Sequence, residues 1–243
     1  MREPQSALRV LARPAFSNRG ENPYNWLLYT GLSRLGVQVD EYGIGRSLVG
    51  RYDICHVHWP ESTFNSSLIE ALATTESLLC SLDALRARGT RVVWTVHNLR
   101  AHERRFPRAE RAFFDRFVRR VDAFVALSRG SRELAQSTFP ALESRPGFIV
   151  PHPHYRSEYP DGVARSQARV RLTLSQDEHV LLFFGRVLEY KNVLELIRFV
   201  RALPPVVAGK KLCLVVAGRP HGARLERAIY EAAASDPRVR LHL

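Results

Sequence analysis

Histidine occurs nine times in the sequence. Six of those residues sit in three short stretches: His56 and His58 in "DICHVHWPE" (53–61), His97 and His102 in "TVHNLRAHE" (95–103), and His152 and His154 in "VPHPHYRSEYPDG" (150–162). Imidazole titrates near neutrality and serves as acid, base or metal ligand, so two chemistries compete for the pattern. Side chains two apart in a strand point the same way, and His-x-His at a strand end is one means of holding zinc; His56, His58 and His97 would then make a metal hydrolase. In the other reading His58, Glu61, His97, His102 and Glu103 converge at two strand ends, beside the loop that starts at Asn98, as a group that polarises a hydroxyl or takes its proton. Satisfied buried histidines and a loop that caps the next helix fit part of the same spacing, but five polar groups at two strand ends exceed what capping needs.

A different chemistry is suggested by "LLFFGRVLEYKNVLELI" (181–197). An apolar run ends at Gly185, where a missing side chain lets another group approach the backbone. Arg186 follows, and Lys191 stands beside Asn192 at the start of a helical pattern. A guanidinium, an ammonium and free backbone N–H groups offered together suit one anion, and a pyrophosphate is the natural occupant. Solvated charges flanking a strand-to-helix loop would have the same spacing.

These groups need a scaffold, and the hydrophobic pattern supplies one. Short apolar runs at 8–12, 37–41, 54–58, 92–96, 123–127, 147–150, 180–184, 212–217 and 239–243 alternate with helical periodicity at 23–35, 67–88, 108–119, 128–137, 165–172, 192–203 and 222–234. That alternation predicts parallel sheets with helices on both faces, in which ligands bind at the carboxyl ends of the strands. The proline-rich, aperiodic 150–162 predicts a boundary, with one Rossmann-like domain at 1–160 and a second at 161–243. The second holds three strand candidates where a doubly wound domain has about five or six, so it is expected to be incomplete.

At 243 residues and 45% hydrophobic the chain buries a sizeable core, and its net charge of +12 comes almost entirely from arginine, lysine occurring only at Lys191, Lys210 and Lys211. Arginine grips phosphate and carboxylate with two prongs, which points to an anionic partner. Seven arginines are interleaved with Phe106, Phe113, Phe114 and Phe117 across 103–120, a pattern that fits a basic amphipathic helix on an anionic bilayer or a surface helix whose phenylalanines face its own core. No nucleic-acid motif accompanies the charge. Three scattered cysteines form neither a metal cluster nor a disulfide framework, and no window approaches the roughly 18 apolar residues of a spanning helix. A cytoplasmic protein, peripheral to the inner membrane face, is expected.

In order and spacing, "NPYNWLLY", "YDICHVHWPE", "WTVHNLRAHE", "HPHYRSEYP", "FFGRVLEYKNV" and "LVVAGRP" resemble the GT-B glycosyltransferases, in particular the bacterial exopolysaccharide (xanthan-type) GDP-mannose β-mannosyltransferases. The resemblance runs from about residue 9 to the last. It implies two Rossmann-like domains, a nucleotide sugar whose diphosphate is held by the second, and a lipid-linked or oligosaccharide acceptor held by the first. Carried onto matching positions, it implies that Arg186 and Lys191 neutralise the departing nucleoside diphosphate, that Gly218 and Arg219 lie near the nucleotide, and that His97, Glu103 and Glu61 face the acceptor hydroxyl. The chain has no Asp-x-Asp, which fits a transferase that needs no metal or other cofactor. It departs from the family at Lys191-Asn192, where Lys-Gly is usual.

Overall fold

A computed structural model of the chain describes residues 7–102, 105–156 and 158–243. It divides into two compact units, Met1–Pro160 and Asp161–Leu243.

Unit 1 runs β1 (Arg9–Arg13), α1 (Tyr24–Arg34), β2 (Gln38–Glu41), α2 (Ile44–Val49), β3 (Ile54–His58), α3 (Leu68–Ala87), β4 (Arg91–Val96), α4 (Pro107–Phe117), β5 (Ala123–Ala126), α5 (Arg129–Thr138) and β6 (Gly147–Ile149). Its strands pair in parallel in the order β2-β1-β3-β4-β5-β6. The order reverses between β1 and β3, so the carboxyl ends of those two strands flank the switch point where open α/β sheets take ligands. Each strand matches an expected run; α2, six residues between Gly43 and Gly50, is too short for a helical period to register.

The apolar spacing decides which face each element buries. On one face Val92, Trp94 and Val96 of β4 and Phe124 of β5 pack against Leu78, Leu82 and Leu85 of α3 and Phe113, Phe114 and Phe117 of α4. Trp94 is ringed by Phe114, Phe117 and Phe139 at 5.4–5.8 Å between centroids. Each such ring, removed from water, stabilises the unit by roughly 1.5–3 kcal/mol. The α4 phenylalanines therefore belong to the core, and only the arginine face of that helix meets solvent. On the other face Val10 and Ala12 of β1 pack with Tyr29 of α1, with Leu28 and Leu32 alongside.

Polar side chains close the ends. Ser67 and Glu70 form a reciprocal capping box on α3, which satisfies two of its otherwise orphan N–H groups. The Glu41 carboxylate accepts from the backbone N–H groups of Ala15, Phe16 and Ser17 at 3.0, 2.7 and 2.9 Å and fixes the loop that aims α1 at the sheet.

Unit 2 runs α6 (Arg165–Arg171), β7 (His179–Phe184), α7 (Val193–Ala202), β8 (Val206–Val207), β9 (Lys210–Ala217), α8 (Ala223–Ala234) and β10 (Val239–His242). Three strands are parallel, in the order β10-β9-β7, and the two-residue β8 joins β9 antiparallel. β9 is the centre, and its Leu212, Leu214 and Val216 meet Ile197, Val200 and Ile229 of α7 and α8. Among the described residues no helix is long and apolar enough to cross a membrane.

Candidate functional site

At the carboxyl end of β3 the period-two alternation turns His56 and His58 to the same face, where both meet Tyr29 from α1. The Tyr29 hydroxyl oxygen lies 2.9 Å from His56 Nδ1 and 2.7 Å from His58 Nε2. Parallel register sets His58 beside Thr95 of β4, and Thr95 Oγ1 shares a hydrogen bond of 2.8 Å with His56 Nε2. His97, just beyond β4, continues the line, its Nε2 lying 3.0 Å from His58 Nδ1.

The His97 ring is held from several sides. Trp59 adopts a left-handed backbone, φ 43° and ψ 50°, which lays its indole flat on His97 at 4.1 Å and 16°. A non-glycine residue rarely occupies that region, and such strain persists where surrounding structure enforces it. Tyr24 meets His97 edge to face at 4.9 Å, and His152 lies 5.1 Å from Tyr24.

Burial makes this a neutral cluster. It pulls His56 down from 6.5 to about 4 and His97 to about 3, the latter aided by His152 and His56. His58 falls well below its ordinary value through burial and its two histidine neighbours. At pH 7 these rings hydrogen-bond as neutral imidazoles. Glu61, in the 3-10 turn Pro60–Asn65, behaves oppositely: burial lifts its carboxyl from 4.5 to about 7, against a hydrogen bond from Asn98. Asn98 Nδ2 donates to Glu61 Oε1 at 2.8 Å, while Glu61 Oε2 is buried with no partner among the described residues. A carboxyl half ionised near neutrality suits proton transfer.

In unit 2 the carboxyl ends of β7 and β9 both carry glycine with positive φ, 121° at Gly185 and 148° at Gly218. A Cβ on Gly218 would lie 1.8 Å from the Gly185 carbonyl oxygen, so glycine is required for the two strand ends to approach. The pairing continues past them, Val187 N–H donating to the Arg219 carbonyl at 2.9 Å. A Cβ on Gly185 would lie 3.8 Å from Lys191 Nζ, and that ammonium stands 6.0 Å from the centre of the Phe183 ring. Asn192, at φ 54°, turns the chain into α7. Neither Arg186 nor Lys191 forms an ion pair among the described residues.

Residues 2–153 match Glycosyltransferase Family 4. The chain belongs to glycosyltransferase family 4. It is similar to a GDP-mannose:glycolipid 4-beta-D-mannosyltransferase of Xanthomonas campestris pv. campestris, 31% identical over 241 residues, and to a second sequence of the same name and organism at 30%. Each alignment takes in 96% of this chain and 60% of the relative, so the chain spans about 60% of their length. Crystal structures of Anabaena Alr3699/HepE share the fold: the complex with UDP and glucose at TM-score 0.59 and 14% identity, the complex with UDP-glucose at 0.60 and 12%, each covering 96% of this chain and 68% of the other. The fold is that of the GT-B glycosyltransferases.

Within this family 4 chain the structure draws the expected residues into two groups on unit 1, His58 with His97 and Glu61 with Asn98, and one on unit 2, Gly185 with Lys191, Gly218 and Arg219 beside them. His102 is exposed. Glu103 lies outside the described residues. The metal-hydrolase reading does not hold: the ring nitrogens of His56 and His58 are taken by Thr95, Tyr29 and His97, and no group of three or more His, Cys, Asp or Glu among the described residues is arranged to hold a metal. His152 and His154 lie exposed in the connection. Tyr29, Thr95, Trp59 and Tyr24 were not anticipated as parts of the site. Strand alternation signals Thr95, which shares parity with His97 and registers with His58, whereas which way a helical tyrosine points depends on how α1 docks.

Proposed function

We propose that the protein transfers a hexose, mannose from GDP-mannose, to the hydroxyl of a lipid-linked or oligosaccharide acceptor in cell-surface polysaccharide synthesis. The observation that carries this reading is the pair of unmatched cations beyond the glycine end of β7. Arg186 and Lys191 have no carboxylate to neutralise them among the described residues, and a nucleoside diphosphate leaving group supplies that charge. The relatives' names, which specify GDP-mannose and a glycolipid, support the donor and acceptor class.

A β-mannoside made from an α-linked donor requires inversion, hence a base for the acceptor hydroxyl. Glu61, titrating at about 7, is matched to that task; His97, held near 3, is matched to hydrogen bonding the hydroxyl as a neutral ring. The bond from the anomeric carbon to the diphosphate oxygen breaks as the acceptor oxygen bonds, the proton passes to the carboxylate, and the diphosphate leaves with its charge held by Arg186 and Lys191 rather than by a divalent ion. Contact with an anionic membrane is electrostatic, through Arg108, Arg111 and Arg119, which are exposed and without ion pairs among the described residues, while Arg116 and Arg120 are occupied by Glu76 and Asp83.

The test is titration of the protein with GDP in a calorimeter, with transfer from labelled GDP-mannose to a bacterial lipid extract in parallel. Loss of one charge-assisted contact in Arg186→Ala or Lys191→Ala is expected to weaken GDP binding about 10- to 100-fold. Variants that bind GDP as the parent does would remove the leaving-group account.

A further inference from the structure

Thr95, His56, Tyr29, His58 and His97 form one unbranched line of hydrogen bonds, 2.8, 2.9, 2.7 and 3.0 Å long. A neutral imidazole has one N–H and one bare nitrogen, and a phenol has a single hydrogen to give. Suppose Tyr29 donates to His58 Nε2. His58 then carries its proton on Nδ1 and donates it to His97 Nε2, which leaves His97 protonated on Nδ1. His56 donates Nδ1–H to the Tyr29 oxygen and accepts from Thr95 at Nε2, so all three rings are Nδ1–H tautomers. If Tyr29 donates to His56 Nδ1 instead, every bond reverses: His97 Nε2–H donates to His58, His58 Nε2–H to Tyr29, and His56 Nε2–H to Thr95. All three are then Nε2–H tautomers. Any mixed set faces two hydrogens or two lone pairs across one of these short contacts or leaves the Tyr29 hydrogen without an acceptor, and a buried polar group left unsatisfied is destabilising.

We propose that Tyr29 is a positioning residue that locks His56, His58 and His97 into one shared tautomer and so decides whether the free nitrogen of His97, Nδ1, accepts or donates a hydrogen bond. Nδ1 is the ring nitrogen left without a hydrogen-bond partner among the described residues. In the Nε2–H register it accepts from a hydroxyl, and in the Nδ1–H register it donates to an oxygen. The ring stays neutral in both, which avoids a buried imidazolium beside His58, His56 and His152. The consequence for an acceptor hydroxyl rests on the hexosyl-transfer reading; the lock rests on geometry alone.

Long-range proton–nitrogen correlation spectra of the 15N-labelled chain near pH 7 test the lock, because the two tautomers have distinct ring-nitrogen patterns. Signals are assigned with single His→Gln variants. The expected result is the same pattern, or the same fractional mixture, on His56, His58 and His97. Differing patterns, or an imidazolium at any of the three, would overturn the proposal. This measurement needs no variant at Tyr29. In Tyr29→Phe, His58 and His97 should still agree with each other while the His56 pattern shifts away from theirs; three unchanged rings would overturn the role of Tyr29. A His97→Ala protein that transferred sugar at the parent rate would remove the acceptor-side reading yet leave the lock standing.

Discussion

Replacing Glu61 by glutamine tests whether the fold raises the titration of this carboxyl to near neutrality. Its pKa is raised from 4.5 to about 7 by burial, with Glu110 adding to the rise and Asn98, the backbone and Arg13 opposing it. Because the folded value lies above the unfolded one, the folded protein holds the proton more tightly. The associated stability is complete below about pH 4.5 and is lost as the pH rises through about 7. Moving from 4.5 to about 7, at about 1.4 kcal/mol per pH unit, amounts to roughly 3 kcal/mol, of which about 2 kcal/mol falls between about pH 5.5 and 8.5. Glutamine keeps the shape and cannot ionise, so Glu61→Gln should gain about 2 kcal/mol on the parent over that interval. Trp26, Trp59 and Trp94 all lie in unit 1, so urea unfolding followed by tryptophan fluorescence reads that unit alone. Other titrating groups are common to both proteins and cancel in the subtraction. A stability difference that stayed flat within about 0.5 kcal/mol would refute the reasoning, since an unstrained, solvated carboxylate would behave in that way.

In the Glu61→Gln background the histidines should make unit 1 acid-labile: their folded values lie below 6.5, so stability is whole above about pH 6.5 and is lost as the pH falls through about 4 for His56 and about 3 for His97. His56 accounts for at most about 3 kcal/mol of this, and an unchanged urea midpoint between about pH 7 and pH 4.5 would exclude it. The Gly218→Ala substitution sets a Cβ against the Gly185 carbonyl and should destabilise unit 2 by more than about 3 kcal/mol, against about 1–2 kcal/mol for Gly222→Ala, where φ is 91° but space is open; hydrogen exchange of β9 amides compares them. If Glu61 is the base, the rate of sugar transfer should fall below about pH 7 in the parent, and Glu61→Gln should abolish that limb along with most of the activity. Binding to anionic vesicles should decline steeply with salt and cause no change in Phe113 or Phe117 exposure; salt-resistant binding would contradict an electrostatic contact.

What the sequence determined by itself is the scaffold and the chemistry on offer. Apolar runs of strand length alternating with helical periods specify parallel sheets, because backbone pairing and burial of both sheet faces leave that pattern few other solutions. Strand alternation likewise commits His56 and His58 to one face, and glycine at 185 marks a strand end open to close approach, whereas only the fold shows that a Cβ at 218 would strike the Gly185 carbonyl. The composition could not say which face of α4 meets water. That was settled when Phe114 and Phe117 found Trp94, a residue in a strand that precedes the helix, and Phe113 found Phe64. Nor do hydrogen-bond partners such as Tyr29 with His56 and His58, 27 and 29 positions away, follow from local pattern, since they depend on the angle at which α1 lies on the sheet. The proton affinities of Glu61 and His97 are also tertiary properties. Each is set by how much water the fold removes from the side chain, and no residue type or spacing carries that information.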